Sequence, residues 1–253
     1  MTLAVVLVEP AGPLNVGSVA RLCANFGIAQ LRLVAPRCDH LGSEARLMAV
    51  HGSHLLEQAQ LYPDLAAALA DCRRVVATSG RMEEEALPLS SAAEGLRWLQ
   101  AGSQQASQGS CSALVFGRED RGLTNAELLQ AGRVVRLSTS EAYASLNLSH
   151  AVAICLHELQ QCQAPPPPAA ASPAAPQAVA PPAPETEPSP RAALEAALVD
   201  AEALLLEVGF LYPHTAQARM AKLRALLQRA QVSDPEVALL RGMVRQLRWA
   251  ANR

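Results

Sequence analysis

Leu3-Ala4-Val5-Val6-Leu7-Val8-Glu9-Pro10-Ala11-Gly12-Pro13-Leu14-Asn15-Val16-Gly17-Ser18-Val19-Ala20-Arg21 passes from an unbroken apolar run, through a turn bearing proline and glycine, into a helical pattern. An apolar run without alternation suits a strand covered on both faces. Val16, Val19, Cys23 and Phe26 follow 3-4-3 spacing, and Asn15 is a favoured N-cap, so a helix is predicted to start near it. Arg21 then falls about one and a half turns inside that helix. Its charge disfavours a buried position without a partner, which leaves a surface ion pair or a functional cation.

The same strand-then-helix unit recurs. Leu31–Val34, Arg74–Ala77, Ala113–Phe116 and Val134–Leu137 are further compact runs rich in valine and leucine. Helical patterns fall between and after them: Asp64 to Asp71, Thr124-Asn125-Ala126-Glu127 as a capping box with Gly132 beyond it, and Asn147 to Gln161. Alternation of this kind predicts an α/β domain with a mainly parallel sheet.

Residues 164–190 interrupt the pattern with eleven prolines and nine alanines in 27 positions. Proline fixes φ and removes backbone donors, so this segment reads as an extended linker. It separates a domain at 1–163 from a helical tail at 191–253. In the tail, Leu194, Leu198, Ala201, Leu205 and Val208 form one stripe, with Gly209 after it. Ser233-Asp234-Pro235-Glu236 caps a last helix that would turn Val237, Leu240, Val244 and Leu247 inward.

Charge divides along the same line. The first domain holds 12 arginines, no lysine and 15 acids, whereas the tail holds 9 bases and 6 acids. Arg219, Lys222, Arg224 and Arg229 cluster, and Arg241, Arg245 and Arg248 share a helical face: a solubilising face or a phosphate-contacting one.

Several classes of protein are disfavoured. No glycine-rich dinucleotide fingerprint or phosphate-binding loop follows a strand. Six cysteines form no C-x-x-C pair, and His51 and His54 lack a third ligand, so no metal is expected and the thiols read as reduced and mostly buried. The apolar run at Leu3–Val8 is too short for a signal or a membrane span, giving a cytoplasmic expectation.

Three strand ends run into polar, glycine-bearing loops: Thr78-Ser79-Gly80, Gly117-Arg118-Glu119-Asp120-Arg121-Gly122, and Ser138 through Asn147. Ligands of open α/β sheets sit at such carboxyl ends, although ordinary surface loops have the same composition. Together with Asn15–Arg21, the stretches Leu114-Val115-Phe116-Gly117-Arg118-Glu119-Asp120-Arg121-Gly122-Leu123-Thr124-Asn125 and Ala144-Ser145-Leu146-Asn147-Leu148-Ser149 resemble the three signature motifs of the SPOUT methyltransferases that modify RNA ribose 2′-hydroxyls. The likeness spans residues 3–160, and the tail resembles the C-terminal extension of the TrmJ branch.

The resemblance implies what periodicity did not supply. It implies an α/β-knot, a deep trefoil formed around the second and third motifs, and an obligate homodimer with Arg21 approaching the cofactor across the interface. It implies S-adenosylmethionine as cofactor, held by Thr78, Ser79, Gly80, Gly117, Leu137, Ala144, Ser145 and Leu146. Asn15, Arg21, Glu119, Ser145 and Asn147 would surround the reaction centre, and the substrate would be tRNA, at position 32 of the anticodon loop. A sulfonium methyl donor needs no metal. The competing expectations are methylation of another tRNA position or of ribosomal RNA, and an RNA-binding or assembly factor without catalysis. A guanidinium stays protonated at neutral pH, so Arg21 is expected to orient and stabilise rather than act as base.

Overall fold

The computed structural model describes residues 2–80, 89–105, 111–140, 145–162 and 187–252. The first domain contains β1 (Thr2–Val8), α1 (Pro13–Asn25), β2 (Gln30–Val34), α2 (Ser43–Ala49), α3 (Ser53–Glu57), β3 (Gln60–Tyr62), α4 (Leu65–Leu69), β4 (Cys72–Thr78), β5 (Leu89–Ser91), α5 (Ala92–Gln105), β6 (Cys111–Phe116), α6 (Asn125–Leu128), β7 (Arg133–Arg136) and α7 (Leu148–Gln161). The sheet order is β3-β2-β1-β6-β4-β7-β5, and every pairing is parallel. All five expected strands are present. The two edge strands β3 and β5 escaped the sequence reading because three-residue runs carry no periodicity.

Alternation along β1 sorts the core. Val5 and Leu7 join Val16, Val19, Leu96, Val152 and Leu156 on one face. Ala4, Val6 and Val8 join Leu65, Ala68, Leu69 and Leu123 on the other. Both faces of the central strands are therefore dry, which is why their sequences are continuously apolar.

Buried arginines tie layers together. Arg32, 2% exposed, forks onto Asp71 at 2.6 and 2.8 Å, bonds the Ala68 carbonyl, and lies 3.5 Å from the sulfurs of Cys72 and Cys111. Those two thiols, far apart in sequence, face each other across the β4–β6 pairing. Arg74 bonds the Trp98 carbonyl and Glu187, and Arg191 lies buried at the start of the tail.

The tail consists of α8 (Arg191–Glu207), α9 (Pro213–Ala230) and α10 (Asp234–Ala251) around Leu194, Leu198, Leu211, Met220 and Val237. Its inward stripe differs from the expected one. Val208 and Leu247 are 48% and 57% exposed, while Leu204 and Leu211 are buried. The chain leaves helical phase at Gly209 (φ +73), so the stripe ends one turn earlier than a continued helix would place it. The end of the expected linker is fixed: Pro188 bridges to Ser233, its carbonyl accepts from Arg73, and the Ser189 hydroxyl donates to Asp234 at 2.6 Å.

Candidate active site

The loops after β4, β6 and β7 and the chain entering α7 meet at the carboxyl ends of the central strands, where open α/β sheets place ligands. They enclose a cavity of about 370 Å³. Phe116, Leu137, Leu146, Leu148 and Ala151 give it apolar walls, and Thr78, Ser79 and Ser145 give it polar ones. The Ser79 N–H donates to the Val135 carbonyl at 3.0 Å, and the Thr78 hydroxyl to the Val115 carbonyl at 3.2 Å.

Gly117 is forced by its neighbours. A Cβ there would lie 2.3 Å from the Gly122 carbonyl carbon and 2.4 Å from the Leu123 nitrogen. The loop closes on itself through the Gly122 N–H to the Arg118 carbonyl, with Gly122 at φ +69. Within this turn Arg118 is buried. It forks onto Glu127 at 2.9 Å twice and also bonds Glu9. Glu127 is at the same time the carboxylate of the Thr124 capping box. The hydrogen bond from Arg118, against the opposing effect of burial, holds the Glu9 carboxyl at about 2. Arg118 is thus a clamp joining β1, β6 and α6.

Beside the first cavity lies a polar one of about 690 Å³. The two share Glu119, Ser145, Leu146 and Leu148; the second adds Asn15, Thr139, Ser140, Asn147 and His150. Here the sequence reading of Asn15 needs correction. Helix α1 starts at Pro13 with Gly12 as its cap, so Asn15 lies in the first turn. Its side chain, free of capping, donates to Glu119 Oε1 at 3.1 Å and accepts from Asn147 Nδ2 at 2.9 Å. Asn147 instead caps α7: its Oδ1 accepts from the N–H groups of Ser149 and His150. Glu119 also accepts from the N–H groups of Ala11 and Gly12 at 3.1 and 3.0 Å. Burial alone would raise its pKa, but these donors and Asn15 outweigh it, and the carboxyl lies below its ordinary value.

Of the residues singled out from the sequence, Thr78, Ser79, Gly80, Gly117, Leu137, Ser145 and Leu146 line the first cavity, and Asn15, Glu119, Ser145 and Asn147 line the second. Ala144 lies outside the described residues. Arg21 lines neither; it is exposed on α1, and no described residue bonds it. Gly17 serves packing: a Cβ would lie 2.2 Å from the Ala45 carbonyl oxygen, so α2 crosses α1 at this point. The Glu9–Arg118–Glu127 clamp and His150 were missed. Glu127 was already legible as a capping-box carboxylate, but nothing local announced its second partner.

Known proteins match this arrangement over both domains. The model of the SpoU rRNA methylase family matches residues 2–157, and that of the tRNA methyltransferase TrmJ C-terminal domain matches 192–253. The chain belongs to the SpoU methylase family, in its TrmJ branch. A tRNA (cytidine/uridine-2′-O-)-methyltransferase TrmJ of Klebsiella pneumoniae is 36% identical over 242 residues, 95% of this chain and 93% of that protein. A tRNA (cytidine-2′-O-)-methyltransferase TrmJ of Methanocaldococcus jannaschii is 37% identical over 161 residues, 62% of this chain and 66% of that one. The crystal structure of TrmJ from Z. mobilis superposes with a TM-score of 0.80 at 26% identity, covering 98% of this chain and 100% of that one.

Proposed function

We propose that this chain transfers a methyl group from S-adenosylmethionine to a ribose 2′-hydroxyl of tRNA, at position 32 of the anticodon loop, as a cytoplasmic homodimer. The observation that carries the reading is the pair of adjoining cavities, one glycine-backed with both apolar and polar walls, one lined mostly by polar side chains, sharing Glu119 and Ser145. Relatives named for 2′-O-methylation of tRNA cytidine and uridine support the substrate.

The first cavity fits the cofactor. Its volume lies within the range of small-ligand pockets, near the lower end. Its apolar walls suit an adenine, and Gly80, where a Cβ would meet nothing within 4 Å, leaves room for a ligand beside the backbone. When bound, S-adenosylmethionine supplies a methyl group activated by a positively charged sulfur.

The protein's task is then to place a ribose oxygen in line with that methyl carbon and to stabilise the charge it develops. Glu119, held by Ala11, Gly12 and Asn15, fixes the wall between the cavities. Asn15 and Asn147 present a coupled pair of amides to the ribose, and Ser145 lies on both sides of the junction. Arg21 reaches the ribose or its phosphate from a second copy and stabilises the developing alkoxide while remaining charged, the hydroxyl proton passing to solvent water as the neutral thioether leaves. Exposed Leu14, Leu47, Met48 and Ile154 on α1, α2 and α7 support burial of that face against the second copy. The reading includes a trefoil knot around the two cavity loops; the match to the SpoU methylase family supports it.

The test is methyl transfer from labelled cofactor to a tRNA transcript. Label is expected in an alkali-resistant dinucleotide, the mark of a 2′-O-methylated ribose. Label on a base, or none, overturns the reading.

A further inference from the structure

The tail stands on the core by one end. Ala192 donates to the Ala70 carbonyl, Gln231 accepts from Trp98 Nε1, and Asp234 binds Arg73. These contacts gather the start of α8, the end of α9 and the start of α10 at the core. The other ends of the helices lie distally: α8 has 17 residues and so extends about 25 Å from its docked first turn. Near the end of α10, Arg248 reaches back to the Asp200 carbonyl and towards Glu207 on α8.

The exposed aromatic rings of the described residues gather at that distal end. Phe210, Tyr212 and Trp249 are 62%, 56% and 55% exposed, whereas Trp98 and Phe116 are buried and Phe26 and Tyr62 are half-buried. The turn that presents them is fixed. Gly209 reverses the chain, and Leu211 is buried with its N–H on the Leu205 carbonyl, so its two neighbours face outward. The Tyr212 ring stacks on His214 at 5.9 Å with 22° between planes. Arg219 donates to the Phe210 carbonyl at 3.2 Å, which ties a guanidinium to the backbone of this turn.

We propose that this distal tip is a stacking surface for unpaired bases of the RNA, with Phe210 and Tyr212 as platforms and Arg219 on the flanking phosphate. The inference rests on the tRNA reading above and adds a second contact, separate from the reacting ribose. Two features favour RNA over a protein partner: an arginine adjoining the exposed rings, and a tail with 9 bases against 6 acids. Bases splayed from loops stack on such rings without sequence preference.

The experiment uses the full chain, an unmodified tRNA transcript and a salt series. The paired substitutions Phe210→Leu and Tyr212→Leu keep apolar bulk and remove the π faces. They are expected to weaken tRNA binding about tenfold or more at every salt concentration, leaving the slope of log K against log salt unchanged. Arg219→Ala is expected to reduce that slope by about one. Cofactor affinity, measured by calorimetry, and the sedimentation coefficient stay as in the parent. Unchanged tRNA affinity in the leucine variant, with the parent still methylating tRNA, overturns the stacking surface alone. Conversion to a slower-sedimenting or faster-sedimenting species assigns the tip to contact between copies and also overturns it. A parent that binds no tRNA overturns both this inference and the function it rests on.

Discussion

Asn147 donates its side-chain amide to Asn15 Oδ1 at 2.9 Å, linking the first turn of α1 to the cap of α7 across 132 residues of chain. The carbonyl end of the same Asn147 amide caps α7, so one side chain both starts a helix and orients a site residue. The two roles separate by substitution. Asp caps helices as well as Asn does, but it cannot donate to Asn15 and brings a second negative charge towards Glu119. Asn147→Asp is therefore expected to keep its thermal midpoint within about 3 °C while kcat falls tenfold or more. Asn147→Ala loses the cap as well, costing about 1 kcal/mol. Thermal denaturation alongside steady-state methyl transfer reads both; a fully active Asp variant contradicts the shared role.

Arg118 neutralises two carboxylates from opposite sides, and its removal leaves Glu9 and Glu127 facing each other part-buried. Arg118→Ala is expected to destabilise the fold by about 3 kcal/mol, and Arg118→Lys recovers only part because an ammonium cannot fork onto Glu127. Urea unfolding measures this. A pH signature accompanies it. The Glu9 carboxyl is lowered from 4.5 to about 2 in the folded chain, so its stabilising contribution is complete above about pH 4.5 and disappears as pH falls towards 2. Glu9→Gln is expected to flatten the stability profile in that window. A profile identical to the parent's contradicts the clamp.

Gly80 and Gly117 both back the first cavity yet differ in what surrounds them. A Cβ at Gly80 meets nothing within 4 Å, whereas one at Gly117 runs into the backbone of Gly122 and Leu123. Gly117→Ala must open the loop, and calorimetry is expected to find cofactor affinity reduced at least about tenfold with lowered stability. Gly80→Ala is expected to leave the unfolding midpoint unchanged. Equal behaviour of the two variants removes the packing explanation.

The Arg21 side chain bonds no described residue and is exposed on α1, outside the core. Arg21→Ala is expected to abolish methyl transfer while cofactor affinity and thermal stability persist. Turnover near that of the parent rules Arg21 out of the reaction.

Much of this was legible in the sequence because the central strands are apolar on both faces and run into segments rich in polar residues and glycine. Val5 to Val8 and Ala113 to Phe116 announced a covered parallel sheet, and Thr124 and Glu127 announced their own capping box. What stayed hidden depends on pairings distant in sequence. Asn15 reads as a cap because Asn before a helical stripe usually is one; only the position of Pro13 at the first helical turn moves it inside and frees its amide. Arg118 reads only as one residue of a polar, glycine-bearing loop until Glu9, 109 residues away, is folded against it. The linker looked free to its end at Pro190, yet Arg73 holds the Pro188 carbonyl and Arg74 holds the Glu187 carboxylate, pairings more than a hundred residues apart in sequence.

The most direct test of the account is to map 2′-O-methyl groups, nucleotide by nucleotide, on bulk tRNA lacking the modification after incubation with the chain and S-adenosylmethionine. New methylation at position 32, absent with Arg21→Ala and reduced with Asn147→Asp, is the predicted result. Methylation confined to other positions, or an equal product with either variant, contradicts it.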